Sequence, residues 1–68
     1  MRQNLKNARL KANMTQQAVA DVVGISLRYY QNIEASDNGG SFETWDKLED
    51  LFKIHQRKLR ELSSDQFI

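Results

Sequence analysis

Residues 15–35 read TQQAVADVVGISLRYYQNIEA, and their spacing predicts two short helices joined by a tight turn. Thr15 stands where a hydroxyl can accept a first-turn amide that has no partner within its own helix. Val19, Ala20 and Val23 then recur at helical spacing and give that helix an apolar face. Gly24 follows the last of them, at the point where a chain leaving a helix often turns left-handed and a Cβ is a penalty. Ile25 is apolar inside the turn, and Ser26 is placed to cap the next helix. In that second helix Tyr30 and Ile33, three apart, share the inward face. Ala20 is the small residue that two crossing helices need where they approach closely.

These residues resemble the phage-repressor-like (Xre or lambda-repressor-like) helix-turn-helix family. Counting from Gln16, the apolar positions, Ala20, Gly24, Tyr30 and Ile33 fall in that family's order. The resemblance spreads over Leu5 to Leu62. Leu5 to Arg9 is similar to the family's first helix, and Met14-Thr15-Gln16 to the entry of its second. Ile33-Glu34 resembles the end of the recognition helix, Phe42 to Ile54 the fourth helix, and Ile54 to Leu62 the fifth. The fold it implies is all-α, a compact bundle of five short helices. Helices 2 and 3 would form the motif, at about residues 16–35 of one domain spanning 1–68. The function it implies is sequence-specific binding of double-stranded DNA by a prokaryotic or phage transcriptional regulator, with repression as the expected role. Such a regulator would read a two-fold operator as a homodimer through the major groove, with half-sites about one helical turn, ~34 Å, apart. Two alternatives stay open: a protein-interaction module on the same fold, and the DNA-binding half of a larger regulator or antitoxin.

Composition sets the frame for this reading. Sixty-eight residues allow one domain with a small core, near the size below which chains need staples to fold. There is no cysteine, so neither disulfides nor a cysteine zinc site can supply stability, and helix packing must. The absence of proline and the presence of only three glycines favour helices over strands. No apolar run approaches a membrane span, and the basic start lacks the apolar stretch of a signal peptide. A cytoplasmic protein is expected, nucleoid-associated when on DNA. Net charge is only +1, but it is unevenly placed. Arg2, Lys6, Arg9, Lys11 and Arg28 stand against Asp21 in residues 1–33, whereas acidic residues outnumber basic ones afterwards. The motif half therefore carries the positive charge, as a DNA-facing surface would.

Outside the motif, residues 2–12 are expected to form the first helix, with Leu5 and Ala8 inward and Leu10 or Ala12 beside them. Arg9 lies among these apolar positions. It either stays at the surface against a phosphate or turns inward, where it needs a partner. The resemblance pairs it with Glu34, as a structural salt bridge between helices 1 and 3. Ser36 to Gly40, SDNGG, is turn chemistry. It lacks the lysines and arginines that many relatives place there for phosphates, leaving only backbone amides and Asn38 for that task. Ser41 is positioned to cap the fourth helix, in which Trp45, Leu48 and Phe52, flanked by Leu51, make a core stripe. Lys53 occupies the place of a helix-ending glycine, so that break is either strained or nearly absent. Leu59 and Leu62 are expected to share a face on the fifth helix. With Phe67 and Ile68 of the tail, they suggest a weak two-fold contact between copies.

Chemistry of the catalytic kind finds little support, and no enzyme activity, cofactor or metal is expected. His55 is the one histidine and reads as a helix-entry or surface residue. Glu43, Asp46, Glu49 and Asp50 are spread around one helix as a solvated face. DNA reading is more specific. With Tyr30 and Ile33 inward, the helical step of about 100° sends Arg28 and Asn32 to the opposite side. Gln31 borders that side, and Leu27 and Tyr29 flank it. The family's base-reading positions fall on Leu27, Arg28 and Asn32. Arginine pairs with guanine, asparagine with adenine, and leucine meets a thymine methyl. Tyr29 would touch a base or phosphate, or else pack at the core edge. Gln16 opens helix 2, where free amides and the helix dipole favour an anion, and matching relatives use that glutamine on the DNA backbone. Gln17, Ser26, Gln31 and Lys11 complete the expected backbone contacts.

Overall fold

Three hydroxyls set where the central helices begin. Thr15 Oγ1 accepts from the Ala18 amide at 3.0 Å, Ser26 Oγ from the Tyr29 amide at 3.0 Å, and Ser41 Oγ from the Thr44 amide at 3.2 Å. Each satisfies a donor that its helix leaves unpaired. In the computed structural model, which describes residues 1–62, five helices follow in order. They are α1 (Gln3–Lys11), α2 (Gln16–Val23), α3 (Leu27–Glu34), α4 (Phe42–Phe52) and α5 (Gln56–Arg60). The described residues contain no strand. The all-α, five-helix expectation holds, with α2 and α3 forming the motif.

The turn between α2 and α3 depends on Gly24. Its φ of 84° is left-handed, and its amide donates to the Ala20 carbonyl at 2.8 Å, closing α2. α4 ends in the same conformation, but on Lys53 at φ 59°. The break before α5 is therefore retained and strained, because a side chain in the left-handed region costs roughly 1–2 kcal/mol. His55 caps α5, its Nδ1 accepting from the Arg57 amide at 3.0 Å.

Leu5, Val19, Ala20, Val23, Tyr30, Ile33, Trp45, Leu48 and Leu59 meet in one buried cluster, with Ala8 at its edge. α1 packs on α3 and α5, α2 on α3 and α4, and α4 on α5. Two expectations are corrected here. Leu10 is 51% exposed and Ala12 is also at the surface, because Ala8 and Arg9 occupy the inward arc of the last turn. Leu59 has no exposed surface at all. α5 spends it on the domain's own core, so it cannot form a contact between copies. Leu62 is exposed, whereas Phe67 and Ile68 lie outside the described residues.

The Ser36–Gly40 loop is stapled rather than loose. Trp45 Nε1 donates to the Gly39 carbonyl at 2.7 Å, and Asn38 Oδ1 accepts from the Gly40 amide at 2.8 Å. Gly40 has φ 75°, and a Cβ there would sit 2.7 Å from Trp45 Nε1. Only glycine fits both the backbone and the indole.

Candidate nucleic-acid interface

α3 has one face that is locked and one that is not. On the inner face, Tyr30 and Ile33 are fully buried and Glu34 nearly so. Glu34 is an ionised acceptor with room for several donors, and it receives four hydrogen bonds. Arg9 approaches as a fork, Nε to Oε2 at 2.9 Å and Nη2 to Oε1 at 3.2 Å. Tyr30 donates its hydroxyl to Oε2 at 2.7 Å, and Gln16 its Nε2 to Oε1 at 3.0 Å. Burial alone would raise the Glu34 carboxyl, but the bonds from Arg9, Tyr30 and Gln16 outweigh it and hold the pKa below its ordinary value. The bond to Glu34 raises Arg9 in turn, against its own desolvation. Burial, then the bond and the charge of Glu34, push the Tyr30 phenol far above its usual range. A third Arg9 nitrogen, Nη1, reaches the Met14 carbonyl at 3.1 Å and fixes the entry to α2.

On the outer face Arg28 is exposed and Asn32 half-exposed. Neither side chain has a hydrogen-bond or ion-pair partner among the described residues. Leu27 and Tyr29 flank them, both half-buried, and Tyr29 packs against the core cluster. Its ring is thus engaged at the core edge.

The start of α2 borders this face. Val19 N takes the Thr15 carbonyl and Ala18 N the Thr15 hydroxyl. The amides of Gln16 and Gln17, first in the helix, have no acceptor within it. The Gln16 carboxamide is held at both ends, because its Oε1 accepts from Gln31 Nε2 at 3.2 Å. Gln17 donates to Asp21 at 2.8 Å, and the Ser26 hydroxyl is committed to its cap. Lys11 stands elsewhere, lining surface grooves with Ala8, Ile54 and Lys58 that no α3 residue lines.

The charge of the motif half needs revision. Arg2 and Arg9 are buried, so Lys6, Lys11 and Arg28 remain as its surface cations against Asp21. Arg2 is the residue that sequence reasoning missed. Its Nη1 donates to the carbonyls of Ile33 at 2.6 Å and Asn38 at 3.1 Å, and its Nε to that of Arg60 at 3.1 Å. Its guanidinium lies 5.3 Å from the centre of the Trp45 ring, within the range of a cation–π contact. It ties the end of α3 and the following loop to α5. Carbonyl partners leave no signature in side-chain spacing, so nothing in the sequence marked it. The links from Tyr30 and Gln16 to Glu34 were more accessible. Tyr30 precedes Glu34 by one helical turn, and a buried carboxylate demands more donors than one arginine supplies.

No helix among the described residues is long and apolar enough to cross a membrane. No curated protein and no solved structure matches the chain significantly. A family model described as helix-turn-helix does match, over residues 5–55, three-quarters of the chain. That span runs from the first core leucine of α1, through the Arg9–Glu34 pair and the capped turn, to the start of α5. The chain belongs to the Xre/lambda-repressor-like helix-turn-helix family of DNA-binding regulatory domains.

Proposed function

We propose that the chain is a sequence-specific transcriptional regulator of the repressor type, laying α3 in the major groove of double-stranded DNA. The observation that carries this reading is the contrast between the two faces of α3. One is fixed by a buried ion pair and core packing, and the other presents Arg28 and Asn32 without hydrogen-bond or ion-pair partners among the described residues. Arg28 reads guanine, Asn32 reads adenine, and Leu27 meets a thymine methyl beside them. Tyr29 supports the edge of the helix. The open amides at the start of α2, with the Gln16 carboxamide beside them, hold the DNA backbone. Two copies on a two-fold operator place two such helices about one turn, ~34 Å, apart.

The test begins with selection of bound sites from random DNA, followed by affinities for the selected operator and for random DNA at one fixed salt concentration. Arg28→Ala and Asn32→Ala should each lose about 1–3 kcal/mol of discrimination, which is about 5- to 150-fold in operator affinity. Asn32→Ala removes no charge, so random-DNA affinity should hardly change. Gln16→Ala should weaken all sequences by a similar factor, because phosphates carry no base identity. Equal losses on operator and random DNA for a folded Asn32→Ala would show that Asn32 reads no base.

One observation favours a second reading. Phe42 is 81% exposed at the start of α4 and Val22 62% exposed on α2, large apolar side chains open to a protein partner. In that reading the domain is an interaction module, and salt-dependent DNA binding would be absent.

A further inference from the structure

We propose that Gln31 is a positioning residue that acts on DNA through Gln16, and that the buried Glu34 carboxylate sets the polarity of both carboxamides. This rests on the reading that α2 and α3 bind DNA. An ionised carboxylate accepts hydrogen bonds and donates none. Glu34 Oε1 faces Gln16 at 3.0 Å, so Gln16 must turn its NH₂ inward and its oxygen away. That oxygen faces Gln31 at 3.2 Å, so Gln31 must present its own NH₂. One buried charge thereby fixes the orientation of two glutamines in succession, the second of them exposed.

The consequence lies at the surface. Each NH₂ group has two hydrogens, and the relay uses one of each. The second hydrogen of Gln16 remains free at the first residue of α2, beside the open amides of Gln16 and Gln17. The Gln16 oxygen that this orientation turns away from Glu34 is covered by the Gln31 NH₂, so a phosphate approaching the site meets N–H groups instead of a bare amide oxygen. Gln31 precedes Asn32 on α3, so the same helix that reads bases also holds the backbone donor in place. Without Gln31, the Gln16 oxygen loses its partner and the carboxamide is retained only at Glu34.

The experiment is a double-mutant cycle on the intact chain. Gln31→Met keeps the length of the side chain and removes its hydrogen bonds, and Gln16→Ala removes the residue it acts on. Gln31→Met should weaken operator and random DNA alike by about 2- to 10-fold, the worth of one neutral hydrogen bond. Added to Gln16→Ala it should cause no further loss, since coupled residues are not additive. Losses that add would overturn the proposal, because Gln31 would then act on DNA by itself. A second readout needs no DNA: the Gln16 side-chain amide resonances of the free protein should shift in Gln31→Met. Unchanged resonances overturn the link. A parent chain that binds no DNA overturns the underlying reading as well, and the amide resonances then show whether the relay itself exists.

Discussion

Two arginines, Arg2 just before α1 and Arg9 within it, are buried to the same degree, 8% exposed each, yet they are held by different kinds of partner. Arg9 meets a carboxylate through two nitrogens, and its pKa is raised by that bond despite burial. Arg2 meets three carbonyls and an indole, and burial followed by the nearby charge of Arg60 lowers its pKa. A full opposite charge more than offsets the desolvation of Arg9; dipoles and a ring do not fully offset that of Arg2. The difference extends to what each would leave behind. Removing Arg9 strands a buried anion, whereas removing Arg2 strands only carbonyls.

The largest effect should therefore follow Arg9→Ala. Breaking a buried pair by deleting one partner costs about 3–5 kcal/mol, a large share of the roughly 5–15 kcal/mol that holds a domain folded. Thermal denaturation of the free protein should show a midpoint well below the parent's. Arg9→Lys should recover little of it, because an ammonium cannot reproduce the two-point fork. An unchanged midpoint would mean that the pair contributes no more than the surface pair of Lys47 and Glu43, and the contrast between the two arginines would collapse.

The same contrast explains what was legible in the sequence. The helix starts at Thr15, Ser26 and Ser41, the turn at Gly24 and most of the core follow from spacing, because caps and apolar periodicity are local. Arg9 was conspicuous alone as a charge among apolar positions, whereas its pairing with Glu34 was what the family resemblance implied. Arg2 gave no such signal, since its acceptors are main-chain atoms that every residue possesses. Leu59 and Leu62 show the opposite failure. Periodicity put both on one side of the expected fifth helix, but α5 ends at Arg60, so Leu59 packs against α1 and α4 while Leu62 lies beyond the helix and is exposed. Arg28 and Asn32 were legible as outward positions of α3, whereas the relay from Glu34 to Gln31 requires three dimensions.

Acid should separate the two arginines next. Arg2 keeps its partners at any acidic pH, because carbonyls and an indole do not titrate there. Glu34 does titrate, and its folded pKa lies below the ordinary glutamate value of about 4.3. Over that interval the unfolded chain binds more protons than the folded one, so stability rises with pH. Its contribution is fully present above the ordinary value and is lost as pH falls through the folded pKa. Denaturant midpoints measured from pH 6 to pH 3 should fall in the parent. In Glu34→Gln the starting midpoint should be lower and the decline shallower. Parallel declines would assign the acid sensitivity to other carboxylates.

The smallest effect should come from Arg2→Met, even though Arg2 spans more of the structure than Arg9. The Ile33 carbonyl also accepts from the Ser36 amide at 3.0 Å, so it keeps a partner when the guanidinium is gone. The carbonyls of Asn38 and Arg60 belong to exposed residues and can turn to water. The backbone bond from the Arg2 amide to the Glu34 carbonyl, 2.8 Å, survives any side-chain change, and the methionine thioether can still pack against Trp45. What is lost is the net worth of the charged hydrogen bonds, about 1.5–3 kcal/mol for each bond to a charged group, less the cost of burying Arg2 that is no longer incurred. The sum should be about 1–2 kcal/mol, or roughly 4–16 °C in melting temperature for a domain of this size. The loss should also be local. Hydrogen exchange should quicken at residues 36–40 and at the end of α5, which Arg2 ties together, while the amides of α2 keep their protection. If Arg2→Met instead melts as low as Arg9→Ala, a carbonyl-held arginine matters as much as a carboxylate-held one, and what a deletion leaves behind does not decide its cost.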